Sequence, residues 1–110
     1  MTNPSPELLH GTLDTLVMKT LAAGRRHGYA IARAIEDATE GVVDIEEGSL
    51  YPALHRMEQE GWVRAEWGTT EKNRQARFYT LTALGRKQLA QEEESWARLT
   101  EGVRRVLRYA

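Results

Sequence analysis

Apolar residues along the chain recur at two different spacings, and the change between them divides the sequence. Leu9, Leu13, Leu16, Val17, Thr20 and Leu21 fall at steps of three and four, the stripe of a helix predicted over residues 6 to 23 and closed by Gly24. Ser5-Pro6 opens it well: serine can cap orphan amides, and proline at the first helical position has no amide to lose. A second stripe, Ile31, Ala34, Ile35 and Ala38, follows "RRHGY" and ends near Gly41. A third, Leu50, Leu54 and Met57, runs to Gly61, with "VVDIEE" as a short extended connection before it.

After Gly61 the period falls to two. Val63, Ala65 and Trp67 alternate with Arg64 and Glu66 until Gly68 stops the run; "TTEKNRQ" reads as a turn and "ARFYTL" as a second strand. Thr82 is placed to cap a last helix over residues 83 to 109, with Leu84, Leu89, Trp96, Leu99, Val103, Val106 and Ala110 as its apolar positions. From Trp96 onward the steps are 3, 4, 3 and 4, a heptad-like seam that nothing else in the chain remains to cover, so a second copy is the expected partner. Three helices, a hairpin and a terminal helix describe a mainly α fold with a small β-hairpin. The expected organisation is a winged helix-turn-helix over residues 1–81, able to bind DNA, followed by a dimerisation helix over 82–110.

The third helix carries unusual residues near its start. Pro52 suits only a first turn, which puts the start near Gly48 or Ser49 and makes Ser49 a candidate cap. With Leu50, Leu54 and Met57 inward, Ser49, Pro52, His55, Arg56 and Gln59 turn outward and Tyr51 falls at the border. Hydrogen-bonding groups and a cation at the amino-terminal end suit a helix that enters the major groove. Each also has a structural account: Tyr51 as a half-buried core aromatic, Pro52 as a start marker, Arg56 as a solvated cation.

Charge adds direction to this pattern without deciding the partner by itself. The 110 residues hold 15 Lys and Arg against 16 Asp and Glu, but 72 to 91 hold Lys72, Arg74, Arg77, Arg86 and Lys87 with no acid. Residues 34 to 55 hold six acids and no Lys or Arg, a dipolar distribution that permits one basic face. Lys72, Asn73, Arg74 and Arg77 at the hairpin suit phosphates or an adjacent minor groove. Arg25, Arg26 and His27, at the start of the second helix, form a third cluster, since a helix amino terminus itself favours phosphate oxygens. Glu46 and Glu47 oppose a basic surface unless they face away or serve the helix dipole.

The chain resembles the PadR family of bacterial transcriptional regulators, in particular its short members with a single carboxy-terminal helix. The resemblance is carried by "LLHGTLDTLVMKTL", "HGYAIARAIE", "GSLYPALHRMEQEGWV", "NRQARFYTLTALGRKQL" and "SWARL", which span nearly the whole sequence. It implies a homodimer on a palindromic operator in double-stranded DNA, usually repressing a neighbouring gene, with Tyr51, its helix neighbours and the wing cations touching the duplex. Some members of that family bind planar, apolar effectors at the dimer interface, between the terminal helices and the first helix, so the resemblance makes a small hydrophobic or aromatic effector a candidate partner. Two departures stand out: Gln75 and Ala76 occupy wing positions that are often cationic, and Gly102 interrupts the terminal helix.

Trp96, with Leu9, Leu13 and Leu99, is the candidate effector surface, or Trp96 packs against those leucines and binds nothing. Leu89, Trp96, Leu99, Val103, Val106 and Leu107 are the candidate dimer interface, and Trp62 and Trp67 are expected in the core. Cysteine is absent, and His10, His27 and His55 are too scattered for a metal site, so no metal or cofactor is expected. No phosphate loop, nucleophile elbow or carboxylate pair points to catalysis. With no membrane span or leader in view, a cytoplasmic protein is expected. A rival reading uses the same outward surface to bind protein as a module in a complex.

Overall fold

A computed structural model of the protein describes residues 6–109, with side chains from 11 to 109. Helix α1 spans Pro6–Ala22, strand β1 Arg26–His27, helix α2 Gly28–Ala38, helix α3 Glu47–Gln59, strands β2 Val63–Thr69 and β3 Gln75–Leu81, and helix α4 Ala83–Tyr109. The strands form one antiparallel sheet in the order β1-β3-β2, with Val63 opposite Leu81 and Trp67 opposite Arg77.

Each apolar stripe buries toward one centre. Val17, Met18 and Leu21 of α1, Ile31 and Ile35 of α2, and Leu50, Ala53, Leu54 and Met57 of α3 pack together, closed by Val63, Tyr79 and Leu81 of the sheet and Leu89 of α4. A fully buried side chain of this size contributes about 1.5–3 kcal/mol, so three short helices that are marginal alone are held by their shared interior. Gly61, at φ 81°, turns the chain out of α3 in a conformation that favours glycine. The entry to α4 is locked by Thr82: its Oγ1 accepts from the Gly85 N–H at 3.0 Å and lies 2.6 Å from the Gly61 carbonyl oxygen. Gly85 sits so tightly under the Trp62 carbonyl that a Cβ there would collide with backbone.

Several expectations are revised. The hairpin is present but widened by β1, where Arg26 and His27 pair with Tyr79 and Phe78. Strand β2 continues through Gly68 to Thr69; a Cβ at Gly68 would strike the Phe78 ring and the Arg25 guanidinium across the sheet. Helix α3 starts at Glu47, with Glu46 at the cap position and no side-chain cap bond, so Ser49 lies inside the first turn and Pro52 in the second. Ile45 is tied to the core, which brings the chain into the helix early, and Glu47 in the first turn opposes the positive end of the helix dipole. Proline has no amide for the Gly48 carbonyl, so α3 gives up one rung there. Trp67 is 69% exposed rather than buried, because its strand runs out past the core. Leu89 and Leu13 are sealed into the protomer's own core, which removes the first from the dimer seam and the second from the effector surface.

Candidate nucleic-acid interface

Helix α3 presents three different surfaces, fixed by its 100° turn per residue. Leu50, Ala53, Leu54 and Met57 face the core, while Gly48, Ser49, Pro52, His55 and Gln59 are exposed. Tyr51 and Glu58 lean toward α2 and β3. The Tyr51 ring lies over Gly28, the first residue of α2, so closely that no Cβ would fit between them. Burial, and then the nearby Glu47 carboxylate, push the Tyr51 phenol up from its ordinary value, so it stays a hydrogen-bond donor at neutral pH.

Between α3, the start of α2 and the hairpin lies an open trough of about 1390 Å³, larger than the pockets that enclose small ligands. It brings together Arg25, His27, Tyr51, His55, Lys72, Arg74 and Arg77. Ser49 and Pro52 are exposed beside it on α3. Asn73 sits at the hairpin tip in the left-handed region, φ 61°, a conformation asparagine tolerates, and closes the turn by donating its N–H to the Thr70 carbonyl at 2.9 Å.

The cations in the trough are not equivalent. Arg77 reaches Glu58 of α3 at 3.1 Å, pinning wing to helix, and Arg25 stacks 4.1 Å over the Phe78 ring while pairing with Glu66 at 3.3 Å. The His27 Nδ1 caps α2 by accepting from the Ala30 N–H at 3.3 Å, and its ring meets Phe78 edge-on at 5.3 Å. Lys72 and Arg74 form no ion pair among the described residues, so the tip of the wing carries the least committed positive charge. Sequence pattern alone left Tyr29, Arg33 and Trp67 out of the site, yet all three line this trough. Only β-strand phase could have hinted at Trp67.

Arg56 is the principal correction. Its guanidinium turns away from the trough to α1 and grips Asp14 with two bonds, Nη1 to Oδ2 at 2.7 Å and Nη2 to Oδ1 at 3.0 Å. The Asp14 side chain is only 8% exposed, so the pair seals α1 against α3. Between α1 and α4, a cleft of about 210 Å³ is lined by Gly11, Thr12, Thr15, Glu92, Ser95, Trp96 and Leu99. The Thr15 hydroxyl lies 3.0 Å from Glu92 Oε2, and burial pushes the Glu92 carboxyl up from its ordinary value. Leu9 lies outside the described side chains. Leu99, Val103, Val106 and Leu107 remain 48–69% exposed along α4.

The profile of the Transcriptional regulator PadR-like family matches residues 17–91. The chain belongs to that family. A transcriptional regulator from Clostridium thermocellum superposes on this PadR-like protein with a TM-score of 0.81 at 27% identity, covering 94% of this chain and 97% of the other. A PadR family transcriptional regulator from Eggerthella lenta gives a TM-score of 0.76 at 32% identity, covering 92% and 86%. An uncharacterised 37.1 kDa protein in transposon TN4556 of Streptomyces fradiae is 45% identical over 85 residues. That match takes in 77% of the PadR-like chain but only 23% of the longer relative. No described helix is long and apolar enough to cross a membrane.

Proposed function

We propose that this PadR-like protein is a DNA-binding repressor that sits as a homodimer on a palindromic operator in the cytoplasm. Each α3 enters a major groove with its exposed face of Ser49, Pro52 and His55, and each wing lays Lys72 and Arg74 on the flanking backbone. The carrying observation is the trough: the exposed α3, the start of α2 and the wing cations border one open concavity. Repression follows from occupying a promoter.

The dimer forms through the exposed α4 seam of Leu99, Val103, Val106 and Leu107, with Trp96 near its inner end. A flat apolar effector fits the cleft at Trp96 and Leu99, which two-fold pairing brings toward its mate. The test begins with selection from a pool of randomised duplexes by the purified protein. The selected sites are expected to be palindromic and bound with a dissociation constant of about 10⁻⁸ to 10⁻¹¹ M at physiological salt, weakening steeply as salt rises. A reporter promoter carrying the site should be transcribed less when the protein is added. Glu58 and Glu66 occupy two of the trough's arginines, which favours the second reading, a protein-binding module; failure to retain any duplex in a salt-sensitive way decides for it.

A further inference from the structure

We infer that Trp67 is a DNA-contacting residue, an apolar anchor that packs on the deoxyribose backbone beside the groove read by α3. The inference deepens the DNA-binding reading and rests on it. Trp67 is 69% exposed, whereas Trp62 is half-buried against the core. Its strand alternation puts it on the face of Val63 and Ala65, directed toward α3, but beyond the last residue that the core covers. The indole therefore lines the trough shared with Tyr51 and His55 of α3.

Its surroundings suit one kind of occupant. Arg77, directly opposite on β3, is tied to Glu58, which fixes the wall on which the indole stands. Lys72 and Arg74 lie a few residues further on at the tip, free to meet phosphates. Charge at the tip and a broad apolar plate behind it match the alternation of a nucleic-acid backbone, in which anionic phosphates separate apolar sugar faces. The indole N–H can donate to a phosphate oxygen but can accept nothing, which again selects an acceptor-rich partner.

The experiment compares wild type, Trp67→Ala, Trp67→Phe and Lys72→Ala on a duplex selected by the wild-type protein. Trp67→Ala is expected to fold as before, since the side chain packs on little of its own protein, and to bind about tenfold more weakly, as for loss of an aromatic anchor. The slope of affinity against salt should stay unchanged in Trp67→Ala and fall in Lys72→Ala. Adding duplex should change wild-type tryptophan emission, and Trp67→Phe should lose that change while keeping much of the affinity. If wild type binds and Trp67→Ala binds equally well, with emission indifferent to DNA, the inference is wrong and the DNA reading stands. If wild type retains no duplex, both fall together.

Discussion

A carboxylate sealed among α1, α3 and α4 is costly unless its charge is answered, and Asp14 is answered by the two bonds from Arg56. Arg56→Ala leaves that carboxylate buried alone. The expected loss is about 2–3 kcal/mol in urea unfolding, toward the low end for such pairs because the guanidinium is 37% exposed and water can partly replace it. Adding Asp14→Asn to Arg56→Ala should recover part of the loss, since the residual buried charge is gone. DNA binding by folded Arg56→Ala should keep the wild-type salt slope, because this cation answers a carboxylate and no phosphate. Glu92 behaves oppositely. Burial raises its carboxyl above 4.5, so the fold holds that proton more tightly than the unfolded chain does. Its contribution is full below about pH 4.5 and is lost as pH rises through the native value. Glu92→Gln should therefore raise stability at neutral pH and flatten the stability profile above pH 4.5, read from thermal midpoints across the acid range. Neither pair was legible in the sequence. Asp14 and Arg56 are 42 residues apart and meet only because two helices cross, so helical phase alone turned Arg56 outward.

The elements themselves were more readable than their joints. Apolar steps of three and four located α1 and α4 to within a residue, whereas α2, expected from Arg25–His27 to near Gly41, is shorter at Gly28–Ala38; Thr82 acts as the cap that its position suggested. Thr82→Ala should cost about 1–2 kcal/mol, the upper part of the usual range for a cap, because the hydroxyl also sits 2.6 Å from the Gly61 carbonyl. Hydrogen exchange should speed at the Gly85 amide, whose acceptor is removed, ahead of the amides further along α4. The misread boundaries have local causes. Strand β1 is two residues long, too short for any period to register, and its pairing with β3 depends on a segment about fifty residues away. The start of α3 was placed by Pro52, but the half-buried Ile45 and the acidic Glu47 weigh more than the single rung that the proline removes. For the same reason the candidate site was only partly visible. Sequence pattern found the α3 face and the wing tip, while the inward lean of Tyr51, the capping role of His27 and the exposure of Trp67 arise from how elements pack.

At the scale of the molecule, α4 is longer than the core it helps to close. Its 27 residues make a rod of about 40 Å, within a protomer measuring 53 × 28 × 23 Å along its principal axes. Gly85 and Leu89 bury against the protomer, Glu92, Trp96 and Leu99 border the cleft, and from Leu99 onward the apolar positions stay about half exposed or more among the described residues. In the proposed homodimer the exposed row of Leu99, Val103, Val106 and Leu107 meets its copy across a two-fold axis, and each rod covers the other. On the proposed palindromic operator that pairing is required, since one α3 would read only a half-site and two must stand about 34–36 Å apart to meet successive major grooves. Val103→Glu places a charge in the middle of the seam without touching the core. Sedimentation should then report a monomer whose circular dichroism matches wild type. Its affinity for a full palindrome should fall to that for an isolated half-site, a loss of at least a hundredfold where the second site had bound with millimolar or higher effective concentration. A dimer that persists in Val103→Glu, or a monomer that binds the palindrome as tightly as wild type, would separate the α4 seam from DNA recognition and require a different assembly to hold the two reading helices in register.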